Sequence, residues 1–413
     1  MKVLFTFGGM PHYLVALLKK LSNLRDIEIV VVIPSKNGQT IGKGVRLTKE
    51  NGGFKTIFAE EYNSILRKPY FKGFKKILAV EKPDILVVGW PYIIGLSFDF
   101  KSLVYLKRNK IRLIFREIPF QVAPFNQAIS YYKKNPILNE DLQNITPAGI
   151  TFYFWAILLK YMRKWYYSLV DATLAYAECA LEIQGSYGIK KEQIFISLNS
   201  PETDKLFEAS KVLDEQNIAN SFNQYRLIHV GRLVKWKRVD LIIDALALLK
   251  KDFPKAELII IGKGPEEDAL KQQISQNNLE DSVIFKGAEY DANKLGMYLK
   301  SSGIYVLAGM GGLSINEAMA FGKPIICSIC DGTEKTLVRD GYNGLYFKNG
   351  DVTSLYEKIH QLYFDIEKIN IMGLNSEKII REEINLDSVA SKFNQAFEYV
   401  LRKKGKILHE KNN

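Results

Sequence analysis

The sequence has few cysteines: only Cys179, Cys327 and Cys330 occur in 413 residues. Three thiols cannot build a disulfide framework in a chain of this length, which favours a reducing compartment such as the cytoplasm. Cys327 and Cys330 form a C-x-x-C pair, but no second pair and no nearby histidine completes a zinc site. We therefore interpret them as packing residues and predict no metal site.

Long apolar runs are also missing. The most apolar interior segment, Gly149 to Tyr167, loses its apolar run at Lys160, after about half of the roughly 20 residues that a spanning helix needs. A transmembrane helix is therefore not expected. Two interpretations stay open: a helix in a membrane interface, with aromatics among Lys160, Arg163 and Lys164, or a core helix with a basic outer side.

Acidic residues are outnumbered by basic ones, 45 to 57, which gives a net charge of +12 and a pI near 9.2. Such a balance favours anionic partners: nucleic acid, acidic lipid or phosphorylated ligands. The basic residues are scattered along predicted helix surfaces and the C-terminal tail, which argues against a nucleic-acid interface. The length exceeds the roughly 250 to 300 residues at which one core stops growing, so we predict two domains.

Apolar strand-like runs such as KVLFTF, IEIVVVIP and DILVVGW alternate with amphipathic helical stretches, which indicates a parallel α/β domain. A polar segment beginning SPETDKLF, predicted as an interdomain linker, separates it from a second such series beginning RLIHVGRL. We predict an α/β protein with two Rossmann-like domains, 1–200 and 201–385, facing a central cleft. A C-terminal helix and basic tail, 386–413, would pack back toward the first domain. Ligands of such sheets bind outside the carboxyl ends of the strands.

Charged residues and glycines follow the predicted strands of the second series. Arg232 ends a strand and Lys237 follows five residues later, before a helix. A bidentate guanidinium and a mobile ammonium suit a diphosphate. Gly262 and Gly264 surround the end of the next strand. These positions predict an anion site.

The stretch GMGGLSINEAMAFGKP, Gly309 to Pro324, places three glycines between a strand and a helix. Such glycines let backbone N–H groups approach a ligand, and the helix start favours an anion. Glu317, just past the glycines, suits the hydroxyl groups of a ribose. Glu334 follows in a further Gly-Thr turn.

The segments HVGRLVKWKRVDLII, IIIGKGPEEDAL, GGLSINEAMAFGKPII and EKTLVRDGYNGLYF resemble the donor half of family 4 retaining glycosyltransferases, which have the GT-B fold. The resemblance covers roughly residues 225 to 350 and is looser upstream, in FTFGGMPHYLVALL and YAECALEIQGSYGIKKEQIFISLNSPETDKLF. It implies that the first domain binds the acceptor and the second binds a nucleotide-sugar donor.

The resemblance further implies a retaining hexosyltransferase-type enzyme (EC 2.4) that moves a sugar from a UDP-type nucleotide sugar to a glycan or lipid-linked glycan in surface polysaccharide biosynthesis. Retention without an obvious nucleophile implies front-face substitution, in which the leaving diphosphate helps to deprotonate the acceptor hydroxyl. No cofactor and no metal is expected, because no D-x-D stretch stands where a metal-chelating donor site needs it. The expected location is cytoplasmic and peripheral on an anionic inner membrane face.

By the same resemblance, Arg232 and Lys237 are the catalytic residues, because they would hold the leaving diphosphate. The implied donor-binding residues are Gly231, Gly262, Gly264, Gly309, Gly311, Gly312, Leu313, Glu317 and Glu334. The candidate acceptor or cleft residues are Gly9, His12 and Glu117.

Two departures from the family pattern bear on specificity. Family members usually carry two glutamates eight residues apart, and the partner of Glu317 falls on Gly309, which we interpret as exchanging a side chain for backbone freedom. Many members carry a histidine-aspartate pair where this chain has Arg116 and Glu117. The missing glutamate leaves an alternative open, a non-catalytic carbohydrate-binding relic of the same fold. A dinucleotide oxidoreductase is disfavoured, because no G-x-G-x-x-G follows the first strand.

Overall fold

The computed structural model describes residues 1–24, 26–36, 52–119, 121–139, 141–216, 222–330 and 332–402. The chain divides into two compact units. Unit 1 comprises Met1–Ile137, Thr146–Leu198 and Asp387–Asn413, and unit 2 comprises Leu138–Ile145 and Asn199–Leu386. The basic tail predicted after the last helix lies outside the described residues from 403 onward.

Unit 1 is an α/β unit. Its strands are β1 (Lys2–Thr6), β2 (Glu28–Pro34), β3 (Lys55–Ala59), β4 (Glu61–Asn63), β5 (Pro69–Phe71), β6 (Ile85–Gly89), β7 (Arg112–Glu117), β8 (Ala172–Ala175) and β9 (Ile194–Ile196). Its first seven helices are α1 (His12–Ser22), α2 (Phe74–Glu81), α3 (Tyr92–Phe98), α4 (Phe100–Arg108), α5 (Ala128–Lys134), α6 (Gly149–Ser168) and α7 (Ala180–Ser186). Seven strands pair in parallel in the order β3-β2-β1-β6-β7-β8-β9, and β4 and β5 form an antiparallel pair.

The central strands of unit 1 are apolar along nearly their whole length because both faces of the sheet are covered. β6, ILVVG, is buried through its first four residues, and β1 is buried from its second residue on. Asp99 caps α4 by accepting a hydrogen bond from the Ser102 amide at 3.1 Å, the usual way to satisfy a first-turn N–H group.

Unit 2 has a second parallel sheet. Its strands are β10 (Asn223–Val230), β11 (Glu257–Ile261), β12 (Val283–Gly287), β13 (Ser302–Leu307), β14 (Ile325–Cys327) and β15 (Gly344–Tyr346), in the order β12-β11-β10-β13-β14-β15. Its helices are α8 (Thr203–Glu215), α9 (Val239–Asp252), α10 (Glu267–Gln276), α11 (Ala292–Lys300), α12 (Ser314–Ala320), α13 (Glu334–Leu337), α14 (Val352–Tyr363) and α15 (Ile366–Glu382). β13 is buried at every residue, so the strand that precedes the glycine loop lies at the core of its sheet.

The predicted linker after residue 200 is wrong for its first half. Residues Thr203–Glu215 form α8, whose buried residues include Leu206, Ala209 and Leu213. Their spacing of three and four residues is that of an amphipathic helix, a signal that the polar composition of the segment hides. The rest of the predicted linker at residues 217–221 lies outside the described residues.

The chain returns to unit 1 for its last described helix, α16 (Leu386–Arg402). Phe393 and Phe397 of α16 pack on Phe5 of β1, with ring centres 6.4 and 6.3 Å from that of Phe5. All three rings are essentially buried. One face of the first strand is therefore covered by a helix from the far end of the sequence.

The aromatic helix α6 has two different sides. One side is buried through Phe152, Ala156, Arg163, Tyr166 and Tyr167. The opposite side is an exposed apolar stripe at helical spacing, formed by Ile150, Tyr153, Phe154, Ile157, Leu158, Tyr161 and Trp165. The prediction of a basic outer side is wrong, because the outer side is apolar and Arg163 is an interior residue, and the membrane-interface interpretation stays a prediction. No helix among the described residues is long and apolar enough to cross a membrane.

Candidate functional site

The loops after β10 and β13 meet at Lys237. This lysine ends a 3-10 turn, Lys235–Lys237, and its side chain is almost fully buried. Its ammonium donates hydrogen bonds to the carbonyl oxygens of Met310 and Gly311, at 2.7 and 2.6 Å. The structure therefore brings together Lys237 and the glycine loop, two features that the sequence separates by more than seventy residues.

A glycine is needed at position 309 because there is no room for a Cβ atom, and not because the backbone adopts a conformation that only glycine allows. A Cβ atom there would lie 2.1 Å from the carbonyl oxygen of Trp236, and the next residue, Met310, donates its amide hydrogen to that same oxygen at 2.9 Å. The φ angle of Gly309 lies outside the left-handed region. Our interpretation of a gain in backbone freedom is therefore wrong: Gly309 is needed because two backbone segments touch.

The glycines after β10 and β11 serve the same purpose. A Cβ atom on Gly262 would lie 1.7 Å from the Gly231 carbonyl oxygen, and one on Gly264 would lie 2.2 Å from that of Leu233. No side chain fits at such distances, which real Cβ atoms do not show. Gly231, Gly262 and Gly264 thus lie together at one edge of the sheet, where the absence of a side chain on Gly262 and Gly264 lets the two loops stack backbone on backbone.

The start of α12 presents a run of unused donors. Among the described residues, no acceptor pairs with the amide hydrogens of Gly311, Gly312 or Leu313, and all three residues are at least partly exposed. The Lys237 ammonium nitrogen lies 3.1 Å from where a Cβ atom on Gly312 would be. Successive free amides beside a positive charge are a suitable environment for an anion.

Glu317 lies in α12, one turn after Leu313, and is partly exposed. Within the described part of the chain, its carboxylate has no hydrogen-bond or ion-pair partner. Burial raises its pKa to about 7, because little water reaches the charged form. It is thus an available acceptor next to the free amides, as the predicted ribose contact requires.

Arg232 follows β10 and is partly exposed. Its guanidinium carbon lies 6.0 Å from the centre of the Trp236 ring, which places it beside the turn that contains Lys237. Arg232 and Lys237 therefore stand in the same loop, as predicted.

Glu334 differs from its prediction as a donor-binding residue. Its side chain is fully buried at the start of α13, and its carboxylate accepts the Gly332 amide hydrogen at 2.9 Å. The Glu334 carbonyl oxygen also accepts the Tyr346 hydroxyl at 3.2 Å. The carboxylate holds its own loop and is not presented at the surface of the site.

His229 is a residue of this site that the sequence did not reveal. It is fully buried in β10, and its Nδ1 lies 3.1 Å from the Val306 carbonyl oxygen, so Nδ1 carries the proton. Its Nε2 has no partner and would lie 3.3 Å from a Cβ atom on Gly231. Burial, with a smaller contribution from the Lys237 charge, lowers its pKa to about 4, so the ring is neutral at pH 7.

In unit 1, Gly9 and His12 lie at the start of α1, after the carboxyl end of β1. Gly9 is partly exposed, and His12, the first residue of the helix, is exposed with its ring edge-on to Tyr13 at 5.8 Å. Both residues stand at the sheet edge where parallel α/β units bind ligands.

Glu117 is not a surface residue, which corrects its prediction as an acceptor or cleft residue. It is 4% exposed, and its carboxylate accepts hydrogen bonds from the Tyr167 hydroxyl and from Gln184 Nε2, the latter at 3.2 Å. Burial raises its pKa, against the opposing charge of Arg163. Successive residues of a strand point to opposite faces, so Glu117 and Arg116 lie on opposite faces of the sheet.

No group of three or more histidine, cysteine, aspartate or glutamate residues in the described ranges could hold a metal ion.

Residues 210–379 match the family model of glycosyl transferases group 1. The match covers less than half of the chain and lies within unit 2. An uncharacterised glycosyltransferase of Methanocaldococcus jannaschii is 32% identical over 191 residues, which cover 45% of this chain and 48% of the relative. The poly(ribitol-phosphate) alpha-N-acetylglucosaminyltransferase of Staphylococcus aureus is 25% identical over 224 residues, 53% of this chain and 45% of that protein. The chain thus spans about half the length of these curated relatives.

Among solved structures, that of Anabaena HepE in complex with UDP aligns with a TM-score of 0.68 at 18% identity, over 96% of this chain and 100% of that chain. At this identity the likeness concerns the fold alone. It confirms the GT-B fold that the sequence predicted.

Proposed function

We propose that the protein is a retaining glycosyltransferase that takes a sugar from a UDP-type nucleotide sugar and adds it to a glycan or lipid-linked glycan of the cell surface. The observation that carries the proposal is the loop at the start of α12. There the unpaired amides of Gly311, Gly312 and Leu313 lie beside the Lys237 ammonium, and the Glu317 carboxylate follows one turn later. A diphosphate and a ribose have the charge and the donor groups that these atoms require.

The chemistry follows from the charges. The bond between the sugar's anomeric carbon and the diphosphate oxygen breaks, and a bond from the acceptor oxygen to that carbon forms on the same face. The acceptor hydroxyl gives its proton to the departing diphosphate. Arg232, Lys237 and the loop amides stabilise the negative charge that develops on the leaving group, which is the main contribution of the protein.

Similar proteins support the proposed classes of donor and acceptor. The Anabaena protein binds UDP, and the staphylococcal relative transfers N-acetylglucosamine to poly(ribitol-phosphate). We extend both classes to this chain: a uridine diphosphate donor, and an acceptor in a surface polymer or its lipid-linked precursor.

We further propose that unit 1 docks on an anionic membrane through the exposed stripe of α6. Ile150 and Phe154 are 73% and 72% exposed, far more than a core helix needs. Lys160 and Lys164 flank the stripe, with their ammonium nitrogens 4.2 and 4.9 Å from the ring centre of Phe125. Apolar side chains bordered by lysines are typical of helices that lie in the interface of anionic bilayers.

Calorimetry with UDP, GDP and ADP tests the donor site, and incubation with radiolabelled UDP-sugars and membrane extracts tests transfer. We expect UDP to bind most tightly and the anomeric configuration, measured by NMR on the isolated product, to be retained. Binding without hydrolysis or transfer from any nucleotide sugar would instead favour the carbohydrate-binding relic. Failure of all three nucleotides to bind would refute the proposed donor site.

A further inference from the structure

Unit 1 carries a second cationic group at the carboxyl edge of its sheet, Arg116. In β7 it is paired with Gly89 of β6 and Leu174 of β8, in the middle of the parallel sheet. The residue as a whole is partly exposed, although its Nε is buried. Arg116 stands where many members of the family carry the histidine of a histidine-aspartate pair. It has no role in the proposed donor site.

Two aromatic rings hold the Arg116 guanidinium. Its central carbon lies 4.6 Å from the centre of the Tyr176 ring and 5.4 Å from that of Phe7, both good distances for a cation–π contact. Rings contact the faces of a guanidinium, but they do not accept hydrogen bonds from the N–H groups in its plane. The two rings therefore hold the guanidinium in place but leave its N–H groups without hydrogen-bond acceptors.

The polar atoms of this cluster lack partners. Within the described residues, Arg116 has no ion pair, and its Nε is buried with no hydrogen-bond acceptor. The hydroxyl of Tyr176, a residue that is 7% exposed, is also buried and has no partner. A buried donor without an acceptor costs about 1 to 3 kcal/mol, so two such groups side by side call for an explanation.

Arg112, at the other end of the same strand, shows the contrast. Its guanidinium pairs with the Asp171 carboxylate at 2.6 Å, although its Nε, like that of Arg116, is buried without an acceptor, so the contrast lies in the acid alone. Arg112, at the amino edge of the sheet, thus has an acidic partner. Arg116, at the carboxyl edge where ligands bind, has none among the described residues. Burial lowers the pKa of Arg116 to about 10, with nearby Tyr13 acting in the opposite direction, so the group stays charged at neutral pH.

We propose that Arg116, with the Tyr176 hydroxyl, binds an anionic group of a substrate, a phosphate or a carboxylate. The planar fork of arginine matches both groups, because either offers two oxygens to parallel N–H donors. The proposal deepens the proposed function, since it makes one of the two sugar substrates acidic. A phosphate would belong to the acceptor, and a carboxylate to an acidic sugar.

NMR of the arginine Nε–H groups tests the site in the full chain, with UDP added at saturation to occupy the donor site. The probes are methyl phosphate, methyl glucuronide and the neutral methyl glucoside. Loss of one signal in Arg116→Lys assigns the Arg116 resonance. We expect at least one anion, and not methyl glucoside, to shift this signal. The affinity for that anion, measured by calorimetry, should be about tenfold or more lower in Arg116→Gln.

Arg108→Gln is the matched control, because Arg108 is exposed on α4 of the same unit and its loss changes the net charge equally. A shift with methyl phosphate alone assigns the site to a phosphorylated acceptor, and one with methyl glucuronide alone to an acidic sugar. If neither anion shifts the signal, or if Arg116→Gln binds as well as Arg108→Gln, the proposal is wrong. UDP binding is measured separately, so an absent donor site and an absent anion site give different results. If Arg116→Gln fails to fold, the wild-type spectra still decide the question, because the Arg116 signal is assigned with the conservative variant Arg116→Lys.

Discussion

Gly309 and Trp236 touch through their backbones: a Cβ atom on residue 309 would lie 2.1 Å from the Trp236 carbonyl oxygen. The same oxygen accepts the Met310 amide hydrogen, and the neighbouring Lys237 ammonium holds the carbonyls of Met310 and Gly311. The turn after β10 and the loop after β13 are therefore one assembly. Its geometry depends on residue 309 having no side chain.

Gly309→Ala should accordingly weaken both the fold of this loop and the binding of UDP. A methyl group that meets backbone must move it, and overpacking of this kind costs about 1 to 3 kcal/mol. Thermal melting and UDP calorimetry measure the two effects. Gly185→Ala in α7 is the control, because nothing lies within 4 Å of its added Cβ atom. Equal melting temperatures for both variants would contradict the assignment.

Removing Lys237 should be far more harmful than removing its exposed neighbour Lys235. We expect Lys237→Ala to lose about 10²-fold or more in transfer rate. The variant lacks the positive charge that stabilises the leaving diphosphate and the ammonium that binds the carbonyls of the glycine loop. Arg232→Ala should lose a similar factor. Lys235→Ala, in the same 3-10 turn, should retain near-normal rates. Steady-state kinetics with a UDP-sugar decides: near-normal rates in Lys237→Ala and Arg232→Ala would refute the diphosphate site.

Glu317→Gln should weaken the binding of uridine, a probe that has a ribose but no phosphate to titrate near neutrality. Loss of a charge-assisted hydrogen bond costs roughly 1 to 2 kcal/mol, about five- to thirtyfold in affinity. With a pKa of about 7, wild-type Glu317 becomes charged between pH 6 and pH 8. Wild-type affinity should therefore rise over that interval, and the affinity of Glu317→Gln should stay constant. Parallel pH profiles would exclude the carboxylate as the ribose acceptor.

The same residue links stability to pH. Because burial raises its pKa in the folded protein, Glu317 binds a proton more tightly when folded than when unfolded, and its contribution to stability is lost as the pH rises through 7. The melting temperature of Glu317→Gln, relative to wild type, should thus be higher at pH 8 than at pH 6. An unchanged or opposite difference would show that the carboxyl is well solvated.

Arg163→Gln should destabilise unit 1. Arg163 donates to the hydroxyls of Tyr166 and Tyr132 at 3.0 and 3.3 Å and offsets the buried charge of Glu117. Removing one charge from such a buried set costs about 3 kcal/mol or more. Urea unfolding at pH 7 measures the loss. Lys164→Gln makes the same charge change at the next, exposed residue, and equal stability of the two variants would overturn the argument.

Vesicle flotation tests the membrane face. Wild type should float with phosphatidylglycerol vesicles at low salt and release at high salt, since each lysine near an anionic surface contributes about 1 kcal/mol. Phe154→Ser with Ile157→Ser, and separately Lys160→Gln with Lys164→Gln, should float less. Phe364→Ser serves as the control, because Phe364 is equally exposed but lies in unit 2. If wild type does not float at low salt, or if the α6 variants float as well as Phe364→Ser, the membrane proposal is wrong. The acceptor would then be a molecule in solution.

Periodic apolar patterns made the two parallel sheets predictable from the sequence. The residues at the strand ends that contact one another were predictable as well, because parallel strands bring their carboxyl ends to one edge. Lys237 and the loop at Gly309 to Leu313 are such a set. The spacing of α8 was overlooked, although its buried residues at 206, 209 and 213 repeat with a helical period.

What the sequence could not reveal depends on contacts between distant segments. Nothing local distinguishes Glu117 from a ligand-facing acid, since its burial results from Tyr167 and Gln184, which lie in other elements. The spatial requirement for Gly309 likewise comes from Trp236, far away in the chain. Arg116 appeared only as a deviation from a family pattern. Its lack of an acid follows from the packing of Phe7 and Tyr176 around it.

The late arrival of α16 affects how the chain folds during synthesis. The ribosome must make all of unit 2 before Phe393 and Phe397 can cover Phe5 of β1. At about 5 to 20 residues per second, the nascent first unit exposes that apolar face for on the order of ten seconds or more. During this interval the emerging chain is a substrate for chaperones that bind apolar surface. A fragment limited to residues 1–198 would remain such a substrate, because it lacks α16.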